Sequence, residues 1–314
     1  MQNISIRNAN KNPNGKIEKV VDCEEDKKTV VKQDFYNYKS DKETIDNIIT
    51  KFPDGIVQTG WYGENGKVEV RCFQDGTKLI KTEWYYEDGE TVRIISTPLE
   101  NGGQEITKYE KDGRIINVCL TKPDKTTIDE YSKYYYDDKT KALRHIYSTF
   151  SNDTELTTWY GENEIATVST QSQKGIKTNT TWYFEDGKTP NIMELYLEDG
   201  RKQKVIYDKN ERWLEFLEYP AIDSTQYSKK TTFSYTSDKK VPQISTTVYP
   251  YGKLEKAWYD EKENMTCRQT LQNNVLQKTE WFYEDGVTVK VLRTYKQDGT
   301  HTDERFPRKN VSAA

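Results

Sequence analysis

Soft metal ligands are scarce in this sequence, which has four cysteines and two histidines among its 314 residues. The cysteines (Cys23, Cys72, Cys119 and Cys267) form no Cys-x-x-Cys pair, and no histidine lies near any of them. A zinc site needs clustered ligands of this kind, and a disulfide framework needs a higher density of cysteine. Both are therefore disfavoured, and we expect the cysteines to be small apolar residues within strands.

Recognisable catalytic motifs are equally rare. Only His145 and His301 could supply an imidazole to a nucleophile, and there is no phosphate-binding loop of the G-x-x-x-x-G-K-[ST] kind. Acidic pairs such as Glu87-Asp88 and Glu284-Asp285 each precede a glycine, which is typical of turns rather than of catalytic carboxylates. We therefore predict that the protein is not an enzyme and needs no cofactor or metal. A glycosidase using other carboxylates, or a thiol enzyme, is the alternative.

Long apolar segments and blocks of one charge are also missing. No apolar run approaches the roughly 18 residues of a membrane span, and the first 15 residues have no signal-peptide core. The 47 basic and 51 acidic residues are interspersed. This pattern predicts neither nucleic-acid nor membrane partners. A cytoplasmic location is expected, or an extracellular surface if a leader was removed.

Aromatic residues, in contrast, are abundant and regularly spaced. There are 23 tyrosines and seven tryptophans, whereas the whole hydrophobic class reaches only 33%. The tryptophans of each pair lie 23 residues apart, and successive pairs are 98 and 99 residues apart. Similar segments, TEWYYEDG, TTWYFEDG and TEWFYEDG, surround the second tryptophan of each pair. The pairs are Trp61 with Trp84, Trp159 with Trp182, and Trp258 with Trp281.

The chain therefore contains three units of about 98 residues, called repeats below, at about 11–108, 109–206 and 207–305. Each repeat divides again, which gives six half-repeats of about 49 residues starting near residues 11, 62, 109, 160, 207 and 259. We predict a single repeat domain over 11–305, with an N-terminal tail at 1–10 and a C-terminal tail at 306–314.

The finest level of repetition is a β-hairpin. Asp-Gly and Asn-Gly pairs, which suit tight hairpin turns, recur between stretches rich in Thr, Val, Ile and Tyr. Only 41–50 shows a hint of helical spacing, and we interpret it as a strand because the other repeats do not share that spacing. The prediction is an all-β chain of tandem antiparallel hairpins in an open or spiralling sheet. The alternative is a six-bladed β-propeller with four strands in each half-repeat.

These hairpins resemble known repeat families. The segment KYEKDGRIINVCLTKPDKTTIDEYSKYYYDD at 108–138 resembles a YD repeat of the Rhs class. The motif WYYEDGE at 84–90 is also similar to MORN-variant repeats of antitoxin-like proteins and to glucan- or choline-binding repeats. The resemblance implies a β-strip that encloses, displays or binds another polypeptide, or a surface carbohydrate. We expect a chain of this length to be too short for a complete Rhs enclosure, and residues 306–314 show no recognisable autoproteolysis or toxin motif.

The tryptophans are the candidate functional residues. One interpretation is that their face of the sheet is packed, and the other is that it is an exposed aromatic platform. We predict a non-catalytic scaffold that binds a protein partner through an extended sheet surface. The alternative is a carbohydrate- or cell-wall-binding module that uses the tryptophan and tyrosine ladder. The candidate platform consists of Trp61, Trp84, Trp159, Trp182, Trp258, Trp281, Tyr86, Phe184 and Tyr283.

Overall fold

The computed structural model describes residues 6–24, 29–41, 43–236 and 240–308. Throughout this part of the chain the regular elements are β-strands, apart from one short 3-10 turn at Pro250–Gly252. None of the described segments forms a helix with the length and apolarity needed to cross a membrane. The 25 strands are antiparallel and belong to one open sheet. The predicted all-β fold is therefore confirmed.

The chain divides into two compact units, Met1–Glu155 and Leu156–Ala314. The strands of the first unit are β1 (Ile6–Lys11), β2 (Ile17–Cys23), β3 (Val30–Tyr38), β4 (Ile45–Lys51), β5 (Ile56–Tyr62), β6 (Val68–Asp75), β7 (Lys78–Tyr85), β8 (Val92–Pro98), β9 (Gln104–Tyr109), β10 (Ile115–Thr121), β11 (Ile128–Tyr136) and β12 (Leu143–Phe150). The boundary falls within β13 (Thr154–Tyr160). The second unit continues with β14 (Ala166–Gln173), β15 (Ile176–Tyr183), β16 (Pro190–Tyr196), β17 (Lys202–Tyr207), β18 (Trp213–Tyr219), β19 (Lys229–Ser234), β20 (Ile244–Val248), β21 (Lys253–Tyr259), β22 (Met265–Gln272), β23 (Val275–Phe282), β24 (Val289–Tyr295) and β25 (His301–Arg305).

The pairing is a continuous meander within each unit. From β1 to β12, and again from β14 to β25, each strand pairs antiparallel with the next one in sequence. A propeller would instead interrupt the pairing after every fourth strand, because each blade is a separate sheet. The six-bladed alternative is therefore excluded.

Two boundaries differ from or refine the sequence prediction. The first strand begins at Ile6, inside the range 1–10 that we expected to be a tail, because Ile6–Lys11 pairs with β2. Residues 1–5 and 309–314 lie outside the described residues. Within the ambiguous segment at 41–50, residues 45–50 belong to strand β4, which agrees with the interpretation as a strand.

Aspartate side chains organise the turns that follow the tryptophan strands. Oδ1 of Asp88 accepts the backbone amides of Thr91 and Glu90 at 2.8 and 2.9 Å, and these bonds lower the pKa of Asp88 to about 2. Gly89 then adopts a φ of 71°, and a Cβ there would lie 2.9 Å from the backbone nitrogen of Val68. Glycine is required at this position both by conformation and by space. Equivalent turns use Asp186 with Gly187 and Asp285 with Gly286.

The sheet has no covering layer among the described residues, since the substantial contacts within each unit join neighbouring strands. Few apolar side chains are therefore fully buried, and small polar residues occupy the central positions of many strands. Their hydroxyls pair across strands, as in the 2.6 Å contact of Ser132 with Ser148 and the 2.9 Å contact of Thr231 with Thr247. In such pairs each buried hydroxyl has a hydrogen-bond partner, and the two side chains occupy little space.

Near the middle of five of the six half-repeats, a tyrosine at or just after the end of a strand bonds to a neighbouring segment of the sheet. Its hydroxyl donates a hydrogen bond to a backbone carbonyl, and a lysine or arginine lies over its ring. We call these residues latch tyrosines. The hydrogen bonds run from Tyr38 to Ile17 (2.8 Å), Tyr86 to Tyr109 (2.7 Å), Tyr136 to Ile115 (2.9 Å), Tyr235 to Trp213 (2.8 Å) and Tyr283 to Phe306 (2.9 Å).

Candidate functional site

In the first repeat and in the third, the two tryptophans of the pair lie on the same face of the sheet, called the tryptophan face below. Trp61 on β5 is directly opposite Val70 on β6, which is directly opposite Trp84 on β7. Directly opposite residues share a face, so Val70 lies between the two indoles. The same register continues across β8 and β9. The first tryptophan row therefore consists of Trp61, Val70, Trp84, Ile94 and Lys108.

The later repeats keep the second tryptophan and the aliphatic residue opposite it on the following strand, while other positions of the row change. In the second repeat Trp182 lies opposite Val168 and Ile192, and Ile206 follows on the next strand. In the third repeat Cys267 lies between Trp258 and Trp281. The third tryptophan row therefore consists of Trp258, Cys267, Trp281, Val291 and Arg305.

None of the six paired tryptophans is fully buried. Trp61 and Trp159 are each 39% exposed, and the other four are half-buried. Arg293 lies over the ring of Trp281 with its guanidinium carbon 5.5 Å from the centroid. Within the described ranges no lysine or arginine lies over the other five rings, whereas many tyrosines and phenylalanines are covered in this way. The uncovered indoles are therefore both supported by the sheet and accessible.

Two clefts adjoin the tryptophans at equivalent positions. The first has a volume of about 550 Å³ and includes Val70, Trp84, Lys67, Glu69 and Arg93. The second, of about 340 Å³, includes Val168, Trp182, Ile192, Glu194 and Lys204. Both volumes fall within or near the range of small-ligand pockets, and each combines an indole with side chains of both charges.

The three remaining platform candidates have a second role. Tyr86 and Tyr283 are latch tyrosines, so their hydroxyls are used within the sheet. Phe184 occupies the equivalent position in the second repeat, where Lys209 lies over its ring, but it has no hydroxyl to donate. Each of these three residues follows the second tryptophan of its pair by two positions, and its contacts are made within the sheet.

The opposite side of the sheet, called the polar face below, carries pairs of ionisable groups that contact each other across strands. Arg71 and Glu83 lie directly opposite each other, and the hydroxyl of Tyr85 joins them by accepting from Arg71 at 3.2 Å and donating to Glu83 at 2.5 Å. Burial, followed by the hydrogen bond to Glu83, raises the pKa of Tyr85 to about 12. The phenol is therefore protonated at neutral pH and acts as a donor.

In the third repeat the arginine contacts the glutamate directly, without a tyrosine hydroxyl between them. Arg268 Nε lies 2.7 Å from Glu280, and Lys278 lies 3.2 Å from the same carboxylate. Burial alone would raise the pKa of Glu280, but the hydrogen bond and charge of Arg268, together with Lys278, lower it below its usual value of 4.5. The carboxylate is thus held ionised and paired, which is a structural arrangement.

Other chemistry-bearing side chains are dispersed. The ring of His145 stacks on Tyr135 with centroids 4.3 Å apart, and burial lowers its pKa. Burial raises the pKa of the Cys119 and Cys267 thiols, which keeps them protonated at neutral pH. Within the ranges that the structure describes, no three histidine, cysteine or acidic side chains are grouped as metal ligands would be.

The ends of the tryptophan rows were not among the predicted site residues. The predicted set contains the tryptophans but lacks Ile94, Lys108, Val291 and Arg305, which extend the first and third rows. The available signal was the recurrence of an aliphatic residue ten positions after the second tryptophan of each pair. Placing the cations required the strand register, because they lie 24 residues after that tryptophan.

By its strand pairing and repetition, the chain is an open β-hairpin repeat protein. No family model matches it, and a search of curated proteins finds no relative. Among solved structures, it is similar to the TcdB2-TccC3-Cdc42 complex, with 9% identity, 95% coverage of this chain, 20% coverage of that chain and a TM-score of 0.28. The Photorhabdus luminescens Tc holotoxin pore gives 10% identity, 96% and 19% coverage, and a TM-score of 0.28.

A porin-like protein from Bacteroides uniformis is a further match, with 12% identity, 87% coverage of this chain, 91% coverage of that chain and a TM-score of 0.23. The chain spans about a fifth of the length of the toxin chains. Scores this low carry no inference about function.

Proposed function

We propose that this chain is a non-catalytic β-repeat scaffold that binds another polypeptide through its tryptophan face. The observation that carries the proposal is the recurrence of indoles with a small residue between them at the same register. Trp61 and Trp84 flank Val70, and Trp258 and Trp281 flank Cys267. Aromatic residues are enriched at the energetic centres of protein interfaces, and repeated equivalent patches suit an extended partner.

The contrast between the two faces supports this assignment. The polar face uses its charged groups internally, as in the pairing of Arg268 with Glu280. The tryptophan face leaves most of its indoles uncovered, although lysine and arginine side chains cover many other aromatic rings of this sheet. Exposed aromatic area that the chain does not cover itself is a feature of interaction surfaces.

The test is affinity capture from the native source with matched variants. We expect the parent chain to retain a specific polypeptide that is lost when Trp61 and Trp84 are both replaced by alanine. Trp213→Ala is the control, because Trp213 is 43% exposed but lies outside the tryptophan rows, against Phe216. Equal recovery with the row variant and the control would contradict the proposal.

A carbohydrate-binding module is the second candidate, favoured by the polar lining of the clefts. The cleft beside Trp84 places Lys67, Glu69 and Arg93 around an indole, a combination that suits a sugar ring. Titration with a panel of oligosaccharides would then change the tryptophan fluorescence of the parent but not of Trp84→Ala. A fluorescence response to peptides alone would favour the polypeptide scaffold.

A further inference from the structure

The spacing of the indoles in the first tryptophan row matches a particular polypeptide conformation. Trp61 and Trp84 lie two strands apart with Val70 between them. Neighbouring strands are about 4.8 Å apart, so the two indoles originate about 9.6 Å apart. A polyproline II helix advances about 3.1 Å per residue with three residues per turn, or about 9.3 Å per turn. Successive turns of such a helix lying across the strands would therefore meet successive indoles.

A cation lies one further step along the same row. Lys108 is opposite Ile94, two strands beyond Trp84, on the same face. It is exposed, and it forms no ion pair with any residue in the described ranges. A third turn of the same helix would reach this ammonium group. The row therefore has two uncovered aromatic positions followed by one unpaired positive charge.

The other rows differ at these positions. In the second repeat the cation is replaced by Ile206. In the third repeat Arg305 supplies the charge, but Arg293 lies over Trp281 and is held there by Asp303 at 2.8 Å. The first row alone combines open indoles with the terminal cation.

Building on the proposed scaffold function, we propose that the first tryptophan row binds a proline-rich segment in the polyproline II conformation, with an acidic residue one turn beyond the second proline contact. Proline rings pack against Trp61 and Trp84 over Val70, and the carboxylate pairs with Lys108. A segment of this kind is already ordered before it binds, so little conformational entropy is lost on docking.

The test is fluorescence anisotropy of a labelled synthetic peptide titrated with the full chain. The peptide carries proline at every third position over two turns and glutamate one turn later. We expect Trp61→Ala to weaken its binding at least roughly tenfold, as for a central aromatic contact. We expect Lys108→Gln to weaken it roughly threefold, as for a solvent-exposed ion pair.

Matched controls separate the two contacts. Trp213→Ala and Lys139→Gln remove an exposed indole and an exposed ammonium elsewhere, and both should bind like the parent. Replacing the peptide glutamate by glutamine should abolish the difference between the parent and Lys108→Gln. Replacing its prolines by alanine should remove most of the affinity, and this comparison needs no protein variant.

The proposal is overturned if the alanine peptide binds as tightly as the proline peptide, or if Trp61→Ala and Trp213→Ala have equal effects. These failures remain distinct from failure of the scaffold function. A captured polypeptide that depends on Trp61 and Trp84, combined with no proline-peptide binding, would leave the scaffold intact and exclude this ligand class.

Discussion

The second repeat and the two outer repeats present different chemistry at the same place on the polar face. The outer repeats pair an arginine with a glutamate, at Arg71 with Glu83 and at Arg268 with Glu280. The second repeat places Ser169 opposite Thr181 at the corresponding register. There the hydroxyl of Ser169 lies 2.8 Å from that of Tyr183. The strand pairing is the same in all three, so the hairpin does not depend on the ion pair.

The outer repeats also differ from each other by one hydroxyl. In the first repeat the Tyr85 hydroxyl joins Arg71 to Glu83. In the third repeat Phe282 occupies that position, and Arg268 reaches Glu280 directly at 2.7 Å. Glu83 and Glu280 are almost equally buried, at 8% and 7% exposure. A buried carboxylate in this sheet thus needs a hydrogen-bond donor. Either a tyrosine hydroxyl or the arginine guanidinium itself can be that donor.

The largest effect is expected from removing one partner of the third-repeat pair. Arg268→Ala leaves the buried carboxylate of Glu280 with Lys278 alone, which should lower the free energy of unfolding by about 2 kcal/mol. We place the effect below that of a fully buried pair because Arg268 is one-third exposed. Urea denaturation followed by circular dichroism measures it.

The matched variant imports the second-repeat solution. Combining Arg268→Ser and Glu280→Thr with Phe282→Tyr removes both charges and supplies the hydroxyl that Tyr183 offers to Ser169, so it should restore stability to within about 1 kcal/mol of the parent. If this triple variant were less stable than Arg268→Ala, the ion pair would be a requirement of the third repeat, and the two arrangements would not be interchangeable.

A smaller effect, with a distinct pH dependence, is expected for Tyr85→Phe. This change converts the first repeat to the third-repeat arrangement and should cost about 1 kcal/mol at neutral pH, because one hydrogen bond to Glu83 is lost. The pKa of Tyr85 is raised from 10.0 to about 12 in the folded chain. The parent therefore keeps the contribution of Tyr85 below pH 10 and loses it as the pH rises from 10 to 12.

Urea denaturation at several pH values tests this sign. The stability difference between the parent and Tyr85→Phe should be constant from pH 7 to pH 9 and should shrink above pH 10. A difference that grows in alkali would show that the phenol is not held protonated by its contacts with Glu83. Phe282→Tyr is the reciprocal change and should introduce a similar alkaline dependence in the third repeat.

The smallest effect concerns the latch that the second repeat lacks. Tyr86 donates to the carbonyl of Tyr109, at the end of β9, whereas Phe184 has no hydroxyl for the equivalent carbonyl of Tyr207, at the end of β17. Phe184→Tyr should therefore add a hydrogen bond and raise stability by up to about 1 kcal/mol. Tyr86→Phe should lower stability by a similar amount. Thermal melting of both variants compares them, and shifts in the same direction would show that the latch bond contributes nothing.

Much of the fold was predictable because its signals are local. Asp88 with Gly89 and Asp285 with Gly286 specify turns through hydrogen bonds within four residues. The open sheet was the preferred prediction, since equivalent hairpins repeat along the chain. The start of β1 was missed because Ile6–Lys11 contains mainly polar and charged residues and is defined by its pairing with β2.

Only part of the candidate site could be predicted from the sequence. Which residues lie opposite each other on neighbouring strands depends on the strand register. Bulges between Trp61 and Tyr62, and between Trp84 and Tyr85, each shift the pairing by one residue. A shift of one residue moves a side chain to the other face, so simple alternation along the chain misplaces residues beyond it. The position of Lys108 in the first tryptophan row could not be derived without knowing these bulges.

The sequence by itself determined the three repeats, the hairpin turns and the tryptophan pairs, because these follow from residue identities and spacings along the chain. Only the tertiary structure decided that Val70 lies between two indoles, that Lys108 ends their row, and that Tyr85 joins Arg71 to Glu83. The physical reason is that these contacts join residues on different strands. Their partners are fixed by the register and bulges of the whole sheet, which no single segment of the chain specifies.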